Sequence, residues 1–511
     1  MIELSKRKRY LIWIALGVAI IILSRVPSLF EPILNIDEAD FAVQSMVWLD
    51  GGTPYVDFVE KKPPLIHIAY AFSFIVGGPW NMLAVHILFI LISISTGLIL
   101  MQATKRIGGK RAGIAALLLF AAFGAGYDLN DFLAANTENL MNLFVAAAIL
   151  FMIKYSERTS QRKYSILCGT MVGLACLAKP VGVIFLPAAI ATIFLLRPKV
   201  DGMKSFTKDA ISLLLGFIIP LFILELYLLK IGALNDAIRW VWTENIKYAS
   251  VVSSGHSILK HGLVRIGIYL LASLPLWALS IGRISPIIRK TKKHSIEFSL
   301  MFYLILCFFA VSLGGRFFPH YFLQFLPSLI ILSAISASSI LKYASQQWRP
   351  TVKTLATIII VAPVIAFFIL HIVEVKKLPQ KFKIEQHVGA FIERNSVKDD
   401  KVFVWGHNSD IYFYSKRLPA SRFIYCSYLT GASEGRENEN KILMKDPLLW
   451  LLFASDFTRH KPQIVVDMSG TDIRGYGTYK PESFPQLEYL LKTGYQPMAS
   501  LNGAKILRRN K

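Results

Sequence analysis

Lys61-Lys62-Pro63-Pro64-Leu65-Ile66-His67-Ile68-Ala69-Tyr70-Ala71-Phe72-Ser73-Phe74-Ile75-Val76-Gly77-Gly78-Pro79 is the stretch on which the topology of this chain turns. Leu65 to Val76 is apolar, and if it crossed a membrane every later loop would change sides. It is shorter than the ~20 residues a helix needs to span the hydrocarbon. Two prolines precede it, Gly77-Gly78-Pro79 ends it and two lysines stand at its start, so it reads as a helix lying in the interface.

Around it lie apolar runs of near-spanning length. They are Tyr10 to Phe30, Met82 to Gln102, Ala112 to Gly126, Leu140 to Ile153, Ser165 to Ala178, Val181 to Leu196, Asp209 to Leu229, Val264 to Ile281, Glu297 to Gly314, Tyr321 to Leu341 and Thr354 to Val375. The reading is an α-helical polytopic membrane protein of about eleven transmembrane helices plus interfacial helices. Alternate connections carry Lys105 to Arg111, Lys154 to Lys163, Arg197 to Lys208, Arg283 to Lys293 and Lys342 to Lys353, and Lys6 to Arg9 precedes the first run. The positive-inside rule makes that side cytoplasmic. The N-terminus is then cytoplasmic, and everything after Lys376 is external.

Composition agrees. Over 511 residues, 54% hydrophobic content and a mean hydropathy of +0.49 are unlike a water-soluble globule. A net charge of +23 sits in short clusters between apolar runs, which suits loops against an anionic leaflet better than nucleic acid. Cys168, Cys176 and Cys307 fall in apolar runs and only Cys426 does not, so no disulfide framework is expected. The first apolar run has no small-residue cleavage site and reads as a retained helix.

The chain therefore divides into a membrane domain, 1–375, and a small extracytoplasmic α/β domain, 376–511. In the second, KVFVW (Lys401 to Trp405) and PQIVVD (Pro462 to Asp467) are β-like, and Glu385 to Arg394 and Pro485 to Thr493 are helical.

Polar groups gather at the outer face, with Glu225 the main buried exception. Asn35-Ile36-Asp37-Glu38-Ala39-Asp40 opens a helix through Trp48. On one reading Asn35 caps it and the carboxylates favour its dipole. On the other, one carboxylate is a base aimed at a hydroxyl. Lys61 reads as a snorkelling interfacial lysine, whereas Lys62, fixed beside the prolines, is placed to meet a lipid phosphate. Glu138 either starts a helix capped by Thr137 or faces the same cavity as Asp37. Asp128 and Asp131 share its loop. Lys179, Arg316, His320 and Tyr321 lie at the same outer depth by topology, as phosphate ligands or as interface anchors. Ile231 to Leu263, with Trp240 and Trp242, reads as an interfacial aromatic segment, with a mobile flap as the second reading.

The first helix, then Asp37-Glu38, then Gly52-Thr-Pro54-Tyr55-Val-Asp57 and Lys62-Pro63-Pro64-Leu65, resembles the GT-C superfamily of membrane glycosyltransferases. The likeness is to the branch of protein O-mannosyltransferases and aminoarabinose transferases. Asn136-Thr137-Glu138, Leu177-Ala178-Lys179-Pro180, Gly315-Arg316-Phe-Phe-Pro319-His320-Tyr321 and Trp405-Gly406 continue the resemblance along nearly the whole chain.

The resemblance implies inverting transfer of a sugar from a polyprenyl-phosphate donor to an acceptor hydroxyl on a glycolipid, polysaccharide or protein. The site would lie at the outer face of a bacterial cytoplasmic membrane. It implies Asp37 as base, Glu38 and Glu138 as supporting carboxylates, and Lys62, Lys179, Arg316, His320 and Tyr321 around the lipid phosphate. A divalent metal is left open: Asp37, Glu60, Glu138 and His256 or His261 offer ligand types, but no spacing specifies a site. The alternatives are a lipid or sugar transporter or flippase, which predicts ionisable residues deep in the helices, and a non-catalytic scaffold.

Overall fold

The computed structural model describes residues 6–157, 162–198, 201–246, 255–347, 350, 383–431 and 446–510. The chain forms two compact units. One comprises Met1–Glu31, His86–Tyr227 and Ser254–Lys376; the other comprises Pro32–Val85, Leu228–Ser253 and Lys377–Lys511. One boundary between the units falls after Lys376, and Pro32–Val85 and Leu228–Ser253 group with the C-terminal segment. The first polar loop folds with the C-terminal segment because their backbones bond directly, with Val59 N donating to Arg422 O at 3.1 Å.

The first unit is helical. Its elements are α1 (Lys6–Arg25), most of α4 (Met82–Phe123), α5 (Leu129–Leu133), α6 (Thr137–Glu157), α7 (Arg162–Ala178), α8 (Phe185–Leu196) and most of α9 (Gly202–Lys230). Beyond α9 come Gly255–Ala272, Leu274–Ile281, Ser295–Ser312 and Leu326–Gln347. Among the described residues six helices are long and apolar enough to cross a membrane, and seven if the pair Lys260–Ala272 and Leu274–Arg289, bent by 78°, is one span. The protein is therefore an integral membrane protein. Ten of the eleven expected runs coincide with helices, several of them too short to count as spans alone, and Thr354 to Val375 lies outside the described residues.

Two of those runs are the arms of α4, which breaks at Gly109 (φ 82°). A Cβ on Gly97 would meet Phe120 at 2.9 Å, and one on Gly113 would meet Met101 O at 2.9 Å, so the arms run antiparallel as a hairpin. Only glycine takes that backbone without strain. Small residues also let α7 and α9 approach through Gly169, Gly173 and Gly216, the packing expected where lipid supplies no hydrophobic drive. Glu225, expected to be buried, is among the described residues exposed on α9 beside Phe222, Ile223 and Leu226.

The second unit contains α2 (Ile36–Leu49), α3 (Leu65–Gly77) and a four-stranded sheet. Its strands β1 (Val402–Trp405), β2 (Ile464–Asp467), β3 (Tyr495–Leu501) and β4 (Ala504–Arg509) run in the order β1-β2-β4-β3. The first pair is parallel and the others antiparallel. Helices Lys383–Asn395, Pro447–His460 and Pro485–Gly494 belong to the same unit. α3 buries Ile66, Tyr70 and Phe74 and exposes Ile68, Phe72, Ile75 and Val76. That one-sided apolar exposure on a short helix is what lying in an interface requires.

Candidate active site

The expected site residues fall into two clusters, one in each unit. In the second unit Asn35 caps α2 by accepting from Glu38 N at 3.2 Å, which sets Asp37 in the first turn at the positive end of the helix dipole. The Asp37 side chain is 27% exposed, and the Lys62 ammonium lies 3.9 Å away. Lys62 also lies 3.7 Å from Glu60 and 4.8 Å over the ring of Phe41. Glu60 is buried and accepts from the backbone N–H groups of Lys61 and Lys62 at 2.7 and 3.0 Å. Tyr55 OH donates to Lys62 O at 2.9 Å. The lysine is thus fixed from backbone and side chain before any ligand arrives.

Glu38 turns the other way. It is fully buried, and its Oε2 accepts from Leu34 N at 2.6 Å. It anchors the chain leading into α2. Beneath the pair, His67 meets Gln44 at 2.7 Å, and burial together with the charge of Lys62 pushes its pKa down to about 3. His67 is a neutral packing group there.

In the first unit Glu138 opens α6 with its side chain 2% exposed. Thr137 donates to it at 2.9 Å, and it pairs with Lys179. Lys179 sits 3.9 Å over the ring of Tyr321. His320 Nε2 is 3.8 Å from Glu138, while its Nδ1 meets Asp131 at 2.9 Å. Arg316 is buried in the preceding loop. Arg25, at the end of α1, donates to the carbonyls of Phe132 and Leu133 and to Asn139, which ties down the loop carrying Asp131 and Glu138. Arg25 is a positioning group that the sequence did not single out.

Among the described residues no group of three or more His, Cys, Asp or Glu is arranged to hold a metal ion. Asp37 and Glu60 straddle an ammonium, so a divalent ion between them would have to displace Lys62. His261 faces Phe317, Glu138 is taken by Lys179, and the His256 side chain lies outside the described residues. These residues do not fit a divalent ion, and no step is routed through one.

Residues 61–227 match the family model of dolichyl-phosphate-mannose-protein mannosyltransferases. No curated protein matches the chain by sequence. In fold the chain is similar to ArnT from Cupriavidus metallidurans bound to undecaprenyl phosphate, with a TM-score of 0.64, 14% identity and 97% of each chain covered. It is also similar to the Archaeoglobus fulgidus oligosaccharyltransferase tethered with an acceptor peptide (TM-score 0.60, 12% identity, 99% of this chain and 74% of that one). The archaeal oligosaccharyltransferase AglB from Archaeoglobus fulgidus, in complex with an inhibitory peptide and a dolichol-phosphate, gives a TM-score of 0.59 at 12% identity over 100% of this chain and 75% of that one. The resemblance to the GT-C superfamily drawn from the motifs is borne out. The matched stretch contains Lys62, Glu138 and Lys179, and Asp37 lies outside it, toward the N-terminus.

Proposed function

We propose that this protein is an inverting glycosyltransferase that moves a sugar from a polyprenyl-phosphate donor to an acceptor hydroxyl at the outer face of the membrane. The observation that carries the reading is the pair formed by Asp37 and Lys62. A solvent-reachable carboxylate beside a backbone-fixed ammonium supplies the two things the reaction needs, a proton acceptor and a cation for the departing phosphate. The family match over 61–227 and the fold shared with proteins solved with polyprenyl phosphates support it.

The step balances as one displacement. The acceptor oxygen attacks the anomeric carbon, its proton passes to Asp37, the bond from that carbon to the phosphate oxygen breaks, and polyprenyl phosphate leaves with the electron pair. Because the leaving group is already an anion of low basicity, no glycosidase-type general acid is needed. Lys62 is assigned to the phosphate, and Lys179, Arg316, His320 and Tyr321 to donor recognition. Glu38 acts by anchoring α2 and Glu138 by holding Lys179. The proposal includes eleven crossings, a cytoplasmic N-terminus and an external C-terminal segment. A reporter fused after Lys376 should read as external, and a cytoplasmic signal would overturn that topology.

The deciding variant is Asp37→Asn, assayed in membranes with polyprenyl-phosphate sugars. Loss of the base should lower the rate by ~10² to 10⁴ while donor binding persists. Full activity would remove Asp37 as base, and no transfer by the wild type from any donor would favour a transporter or scaffold.

A further inference from the structure

Asp40, one turn along α2 from Asp37, has no part in the step just described, yet it is buried and held from the C-terminal segment. Ser409 Oγ donates to its Oδ1 at 2.5 Å, and His407 Nε2 lies 3.5 Å from its Oδ2. All three belong to the same compact unit. Ser409 and His407 sit in the loop that follows β1, and that loop is itself fixed. Arg474 donates to His407 O at 2.6 Å and to Asp410 at 3.3 Å, and it lies 3.6 Å from Glu385. Asn408 donates to Glu385 at 3.3 Å, and the His407 ring stacks on Tyr425 at 4.4 Å.

A carboxylate buried this deeply is costly, and an apolar residue of similar volume would pack α2 at least as stably. A directional contact does what apolar packing cannot: it fixes both the rotation and the axial position of the helix. Residues three apart share a helix face, so a shift at Asp40 is carried rigidly to Asp37.

We propose that the C-terminal segment positions Asp37 through a clamp of Ser409, Asp40 and His407, which makes that segment part of the catalytic apparatus. The inference rests on Asp37 as base, and its test separates the two claims. Ser409→Ala, Ser409→Thr and Asp37→Asn are compared as full chains reconstituted in vesicles. Ser409→Ala should lower kcat about tenfold with the donor KM nearly unchanged, because misplacing a reacting group costs rate more than binding. Ser409→Thr keeps the hydroxyl and should restore most of the rate. Independently of activity, hydrogen exchange of the α2 amides should be faster in Ser409→Ala than in the wild type. Unchanged exchange in α2 overturns the clamp. Wild-type kcat in Ser409→Ala beside an inactive Asp37→Asn also overturns it. An active Asp37→Asn refutes the base alone, and the exchange measurement still decides the clamp. Should Ser409→Ala fail to accumulate, Asp40→Asn, which keeps an acceptor for Ser409 but removes the charge facing His407, carries the same comparison.

Discussion

Asp37 and Glu138 are both acidic residues in the first turn of a helix, and each has a lysine beside it, yet their surroundings differ. Asp37 is 27% exposed and meets Lys62 at 3.9 Å, beyond hydrogen-bond length. Glu138 is 2% exposed, with one oxygen accepting from Thr137 and the other engaged by Lys179. A base must offer an open oxygen to an incoming hydroxyl, whereas a group whose oxygens are already engaged can only hold its partners in place. The proposed function accordingly gives proton transfer to Asp37 and preorganisation of cations to Glu138.

Substitution should separate the two roles. Asp37→Asn should lose ~10² to 10⁴ in rate through the missing base, while its thermal stability stays within ~0.5 kcal/mol of wild type, as for other solvent-reachable positions. Glu138→Ala should show the opposite balance. It strands Lys179 in a buried site and should cost about 3 kcal/mol of stability, read as a lowered Tm in detergent. Equal Tm values for the two variants would erase the distinction.

Arg316→Ala should weaken donor binding about tenfold, the loss of one charge-assisted contact worth ~1.5 kcal/mol, with acceptor binding less affected. The reverse order would remove Arg316 from the phosphate. Asn35→Ala should cost ~1 kcal/mol through the lost cap, measurable by thermal unfolding.

The smallest effect concerns pH. Burial raises the carboxyl of Asp410 to about 7, against the opposing pull of Arg474. A raised folded-state pKa gives stability that is complete below the unfolded value near 4 and lost as pH rises through about 7. The Tm of Asp410→Asn relative to wild type should therefore climb between those limits. A flat difference would contradict the shift.

How much of this was legible in the sequence differs from one element to the next. Leu65 to Val76 was legible as a short helix because its signals are local: prolines before it, glycines after it and too little length to span. β1 and β2 were legible as short β-branched runs for the same reason. β3 and β4 were missed because Tyr495–Leu501 and Ala504–Arg509 are too polar to look like strands. Asn502-Gly503 between them, both at positive φ, is a hairpin turn that would have revealed the pair. The long apolar runs were legible, but length alone could not say that Gly109 folds two of them into one hairpin. The resemblance pointed to Asp37, and the prolines beside Lys62 to that lysine. Neither could give Asp40 with Ser409, or Arg25 with Asn139, because those partners lie 369 and 114 residues apart and nothing local records such a pairing.

The most direct measurement is a single turnover in proteoliposomes with a labelled polyprenyl-phosphate sugar, scoring the anomeric configuration of the product and the polyprenyl phosphate released, for wild type and Asp37→Asn. The account predicts one inverted glycoside per polyprenyl phosphate from the wild type, and bound but uncleaved donor from the variant. A product of retained configuration, or the same turnover from Asp37→Asn, would contradict it.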